Sequence, residues 1–216
     1  MKKVTAIFLA SVMMLGLLTG CTGAMTPDET TAPTQETTVP TQETTAPTQA
    51  PTQTLPVGTA TSSSAQILAQ IWAQYGVDER FASYGGTVEH SVSDAPGDLD
   101  MTNAEEIISK YLLPADQLSN VENGASLVHL MNSNIFTAAA FKLKDGASIK
   151  DAAKALRDNI QKTRWLCGQP DHLLVAEVEG HLLMAFAEKQ NLQTFKQKLS
   201  AAHSGATIHY DEAVTA

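Results

Sequence analysis

Only two cysteines occur in the 216 residues, Cys21 and Cys167. That excludes a disulfide framework and a Cys-rich zinc site. Positive charge is also scarce. The 14 Lys and Arg face 23 Asp and Glu, a formal net charge of −9. A generic nucleic-acid binder shows a basic patch and a high pI, so nucleic acid is not an expected partner. Catalytic signatures are missing as well. The chain has no P-loop, no G-x-G-x-x-G and no G-x-S-x-G. Among His90, His129, His172, His181, His203 and His209 there is no H-x-x-x-H or H-x-x-E-H pair, so the zinc-hydrolase helices are absent. Ser148-Ile149-Lys150 places its Lys one position too early for S-x-x-K. No metal or cofactor is expected. After Leu18, nothing approaches the ~20 apolar residues of a spanning helix.

What is present divides into three materials. Lys2 and Lys3 precede a mostly apolar run, Val4 to Leu18, too short and wrongly flanked for a lasting membrane span. Leu18-Thr19-Gly20-Cys21 follows and resembles the lipobox of bacterial lipoproteins. The resemblance implies cleavage between Gly20 and Cys21, a signal peptide over 1–20, and a diacylglyceryl group on the Cys21 thiol. Two acyl chains suffice for stable anchoring where one does not. The expected location is therefore the cell membrane, held by lipid on the extracytoplasmic side.

Residues 21–61 read as the lipidated Cys followed by a linker. From Thr22 to Thr61 there is no Lys or Arg, and TTAPTQE-type units repeat every seven residues from Thr30. Each unit carries Pro and lacks an a/d apolar pair, which rules out a coiled coil. Such a segment cannot bury enough apolar surface to offset its ordering entropy. Its roughly 40 residues reach on the order of 35 Å as a coil, or about 120 Å in polyproline II.

Residues 62–216 form one expected domain. Ten acids against Arg80 and Lys110 make Asp78 to Glu122 strongly acidic, whereas the chain from Asn123 onward is nearly neutral. Apolar spacing predicts a helix over 64–75, capped by Ser64, and a second from Thr102, capped with Glu105. Between them, 77–100 reads as irregular. Strands over 126–131 and 135–143 flank Asn132-Ser133-Asn134. A third helix runs over 149–165 behind Ser148, strands 173–179 and 181–187 flank Gly180, Asn191 caps a last helix, and 206–210 is a short strand. The expected class is α+β: a mainly antiparallel sheet of four to five strands with helices on one face, ferredoxin-like βαββαβ from residue 135, preceded by two helices.

Within this domain Lys144-Asp145-Gly146, Ala155-Leu156-Arg157, Gln161, Gln169-Pro170-Asp171 and the hairpin VAEVEGHLLMAFAE (175–188) stand out. Together with the lipobox and Thr/Pro linker, they resemble an uncharacterised family of small Gram-positive lipoproteins with an extracytoplasmic domain of unknown function. The family tends to carry an aromatic where this chain has His181. The resemblance implies an exported α+β domain and no particular reaction.

Two residues invite a chemical reading. A nucleophilic Cys needs a base, and His172 lies five residues after Cys167. The competing reading packs Cys167 as a small hydrophobe beyond a helix end. Asp94, Asp98 and Asp100 share a Pro-Gly loop without the EF-hand pattern. The leading functional expectation is a non-enzymatic binding module on a stalk, facing an envelope protein or cell-wall component. The alternatives are a small-molecule or ion-binding accessory lipoprotein of a transporter, and a hydrolase.

Overall fold

The computed structural model describes residues 62–166 and 168–215. The expected signal peptide over 1–20, Gly20, Cys21, the expected linker over 21–61 and Cys167 lie outside the described residues.

Four helices form: α1 (Ser64–Trp72), α2 (Ala104–Lys110), α3 (Ile149–Lys162) and α4 (Lys189–Ala202). Their starts follow capping chemistry, with small shifts from the sequence reading. Ser63 rather than Ser64 caps α1, accepting from Gln66 N at 3.2 Å while the Gln66 side chain accepts from Ser63 N at 2.8 Å. Asn103 caps α2, because Thr102 is already engaged with Asp100 (2.6 Å, Oγ1 to Oδ1). Ser148 caps α3 through Asp151 N at 3.2 Å, as expected. α4 starts at Lys189, with Glu188 at the cap position in place of Asn191, which lies inside the first turn.

The strands are β1 (Ser83–Gly85), β2 (Val92–Ser93), β3 (Gly97–Asp98), β4 (Val121–His129), β5 (Phe136–Leu143), β6 (His172–Val178), β7 (His181–Ala187) and β8 (Thr207–Ala213). All pair antiparallel in one eight-stranded sheet of order β2-β1-β4-β5-β7-β6-β8, with β3 also on β4. The class is α+β, but the sheet is larger than four to five strands. The additional strands are two or three residues long and come from the stretch read as irregular. Close backbone contact, not side-chain periodicity, holds them: a Cβ on Gly85 would lie 2.1 Å from Gly97 N and 2.4 Å from Ser126 O. Only glycine permits that approach.

The helices also occupy both faces, not one. Ile107 of α2 and Ala152, Ala153, Leu156 and Ile160 of α3 pack with Ala139, Phe141, Val175 and Met184. Ile67, Leu68 and Ile71 of α1 and Leu192, Phe195 and Leu199 of α4 pack with Ala138, Ala140, Leu174 and Leu183. Strand alternation sends these two sets to opposite sides. The cause is topological. In a ferredoxin-like sheet the last strand would sit beside β5, but β4 already holds that edge. β8 pairs with β6 instead. The β5-α3-β6 and β7-α4-β8 crossovers therefore move the same way across the sheet from strands of opposite direction. Two crossovers of one hand then put their helices on opposite faces.

Candidate functional site

Among the described residues no group of three or more His, Cys, Asp or Glu is placed to hold a metal ion. His129 has a structural task instead. Its Nδ1 accepts from Met131 N (3.2 Å) and Asn132 N (3.4 Å), closing the loop between β4 and β5. Asp100 likewise accepts from Thr102, and Asp94 from Ser83 N, so the acidic loop is held by local bonds.

His172 opens β6 and lines a polar cavity of about 280 Å³ with Lys189, Gln193 and Lys196 of α4 and Asp211 of β8. Its Nδ1 is buried without a partner. Lys196 is paired with Asp211. Its proposed companion Cys167 is outside the described residues.

The residues singled out as motif-like fasten the C-terminal strand. Arg157 donates Nε to Glu212 Oε1 at 2.5 Å, and Gln161 donates to Glu212 (3.0 Å) and Ala213 O (2.7 Å). Gln169 donates to Val214 O (2.9 Å), and the Asp171 carboxylate accepts from Lys189 N (2.9 Å). Arg157 and Gln161 together hold the Glu212 carboxyl below the usual range, the guanidinium bond being the larger cause.

Polar chemistry on the other face collects at the two ends of α1 and α4. At one end, where the described chain begins, Glu179 and Gly180 form the β6–β7 turn with φ of 49° and 76°. That is the left-handed pair of a tight hairpin, in which Asn or Gly is the usual first residue. Glu179 in this position accepts from Ser62 and pairs with His203 Nδ1 at 3.1 Å; those contacts hold its carboxyl low, the Ser62 bond first. The other His203 nitrogen meets Ile67 O at 3.3 Å. His181, just after the turn, is 1% exposed, and burial pushes its imidazole pKa down.

At the opposite end the chain leaves α1 through an aromatic knot. Trp72 lies 4.7 Å from Tyr75 and 5.1 Å from Phe81, and Phe81 stacks on His129 at 5.3 Å. Gly76 N donates to Glu79 Oε2 (2.7 Å), shaping a short 3-10 turn that carries Asp78 and Glu79 outward. Glu79 pairs with Lys198 of α4 at 2.6 Å, which holds its carboxyl low. Across from this turn stand Gln190, Asn191 and Thr194 in the first turns of α4, and between the two walls lies a cleft of about 350 Å³ floored by Tyr75 and Phe81. Tyr75 is only 6% exposed, yet its hydroxyl has no hydrogen-bond partner. Burial, with the Glu79 charge second, drives that phenol well above its ordinary pKa.

The sequence reading missed this cleft. Trp72 and Tyr75 are core residues, and nothing in the sequence around them signals that α4 lies nearby. The spacing Trp72–Tyr75–Gly76 followed by Phe81 was the one local clue.

Compared with protein-family models, with curated proteins and with solved structures, the chain matches none of them.

Proposed function

We propose that this chain is a lipid-anchored extracytoplasmic binding module, carried on a Thr/Pro stalk, that engages an envelope component. The lipobox-like Leu18-Thr19-Gly20-Cys21 and the resemblance to small Gram-positive lipoproteins support the anchor. The observation that carries the binding role is the placement of the aromatic-floored cleft. α1 runs from Ser64 to Trp72, about 13 Å of helix, so the cleft at Tyr75 lies past the end of α1 opposite to Ser62. A ligand held there meets the domain at the end away from its tether.

Two measurements test this reading. Metabolic labelling with an alkyne fatty acid is expected to tag the chain and to be lost in Cys21→Ser. The full chain is expected to co-sediment with purified cell-envelope material. A chain that stays unlabelled and in the soluble fraction sinks the anchor. A labelled chain that ignores envelope material, while showing turnover of a hydrolysable substrate, replaces the module with an enzyme.

A further inference from the structure

The cleft between α1 and α4 has a composition that selects its ligand, and the inference drawn from it rests on the binding reading above. Its walls hold carboxylates, amides and hydroxyls, and its floor is aromatic. No Lys or Arg lines it, and two that contact its surroundings, Lys198 and Arg80, are committed. Lys198 is bound to Glu79, and Arg80 lies over Trp72 at 5.3 Å while donating to Trp72 O at 3.3 Å. An anionic ligand would therefore face Asp78 and Glu79 with no free cation to offset them.

A cationic ligand is served little better. Lys198 neutralises Glu79 and already stands 5.7 Å from the Tyr75 ring centre. What remains uncommitted, beside the single carboxylate of Asp78, is neutral hydrogen-bonding chemistry. The Gln190 side chain is exposed, the Thr194 hydroxyl donates to Gln190 O at 3.2 Å and keeps its acceptor capacity, and the Tyr75 hydroxyl is buried with no partner. Buried Tyr hydroxyls normally find one. A volume of about 350 Å³ sits at the small end of ligand sites, which run roughly 300–1,000 Å³.

The geometry points to a saccharide site: a cleft that takes a neutral, polyhydroxylated sugar, its C–H face on Phe81 and Tyr75 and its hydroxyl or acetamido groups on Gln190, Thr194 and Asp78. Sugars combine apolar C–H faces with a dense rim of donors and acceptors, and amide and carboxylate side chains pair with vicinal hydroxyls in both roles. The aromatic floor excludes water under the apolar face, and the polar rim fixes orientation.

The test uses the full chain and two probes of one length: a tetramer of N-acetylglucosamine, and the same tetramer without its acetyl groups, which is cationic. Trp72, adjoining the cleft, reports binding by fluorescence, and calorimetry gives the stoichiometry. One neutral tetramer per chain is expected, with the cationic form at least tenfold weaker. Gln190→Ala changes an exposed position of α4 and Thr194→Val a half-buried one whose hydroxyl bonds only Gln190 O within the helix, and each is expected to weaken binding about fivefold at unchanged thermal midpoint. Tyr75→Phe is expected to weaken it about fivefold without loss of stability, a combination that a purely structural hydroxyl would not produce. Stronger binding of the cationic tetramer overturns the neutral class. No binding of either, or binding indifferent to all three variants, overturns the site. Envelope co-sedimentation of the same variants separates the two readings. Retention that ignores the variants removes the cleft but leaves the module, and no retention in any chain removes the module itself.

Discussion

The two faces of the sheet solve different problems with the same materials. On the α2/α3 face, polar side chains fasten backbone. Arg157 and Gln161 hold the last strand, and the Tyr111 hydroxyl is tied to Gly86 O (3.1 Å) and Ser126 Oγ (3.0 Å). On the α1/α4 face, the middle is apolar and polar groups gather at the ends, a histidine clasp at one and a cleft with an unpartnered phenol at the other. A hydroxyl that is bonded costs stability to remove, whereas an orphaned one does not. On the face that holds the chain end the buried phenol, Tyr111, is bonded, and on the other face the buried phenol, Tyr75, is left unbound at the edge of a cleft.

Each prediction presses on that contrast. The largest effects fall on both faces alike. Phe136→Ala, under α1 and α4, is expected to cost about 3–5 kcal/mol, and Leu156→Ala, on the buried side of α3, about 2–5 kcal/mol, in urea unfolding. Both should keep a single transition, because β5 feeds both layers. A split transition in either would mean that the faces fold independently.

The next pair gives the same deletion opposite signs. Tyr111→Phe removes the bonds to Gly86 O and Ser126 Oγ, leaving these two atoms only the longer 3.4 Å bond to each other and the Gly86 N donor, and is expected to cost roughly 1–2 kcal/mol, while Tyr75→Phe is neutral or slightly stabilising. Equal losses for the two would erase the distinction drawn between the faces.

Acid sensitivity comes third. Burial lowers the pKa of His181 from its ordinary 6.5, so as pH falls below that value the unfolded chain takes up a proton that the folded one refuses. Stability then declines with falling pH, starting above the carboxylate range. Glu179 and Glu212 are shifted downward, so their contributions are present above the ordinary carboxylate value and are lost as pH falls through their depressed ones. Stability measured from pH 7 to 3 should show the earlier decline vanish in His181→Gln and the later one shrink in Glu212→Gln. An unchanged profile in His181→Gln would remove the buried imidazole as its source.

The smallest effect belongs to the turn. Glu179→Asn suits the left-handed φ but loses a half-exposed pair with His203, and a net change under about 0.5 kcal/mol is expected by thermal denaturation.

Much of the architecture could be read locally. Ser148 with Asp151 marked α3, Gly180 marked the β6–β7 hairpin, and Leu192, Phe195 and Leu199 marked the buried stripe of α4. What could not be read was non-local. β1 to β3 exist because Gly85 and Gly97 let backbones touch, which leaves no alternating pattern. The side of the sheet that α4 covers depends on which edge β4 leaves open, a fact written nowhere near α4. The cleft is assembled from residues 75–81 and 190–194, and neither stretch carries a recognisable motif alone. His172 was legible as a residue of interest, and its cavity is built by α4 and β8, not by its sequence neighbours.

The position of α1 carries a consequence for how the chain assembles. It is the first element of the domain, yet it packs on β4, β5 and α4. As the chain emerges amino end first, Ile67, Leu68 and Ile71 have only β4 and β5 to cover, and their burial is completed when α4, more than a hundred residues later, docks beside them. A helix of nine residues is marginal alone. Its closure is thus a late event in vectorial folding, and the step that seats α1 is the same step that brings Tyr75 opposite Gln190 and completes the cleft.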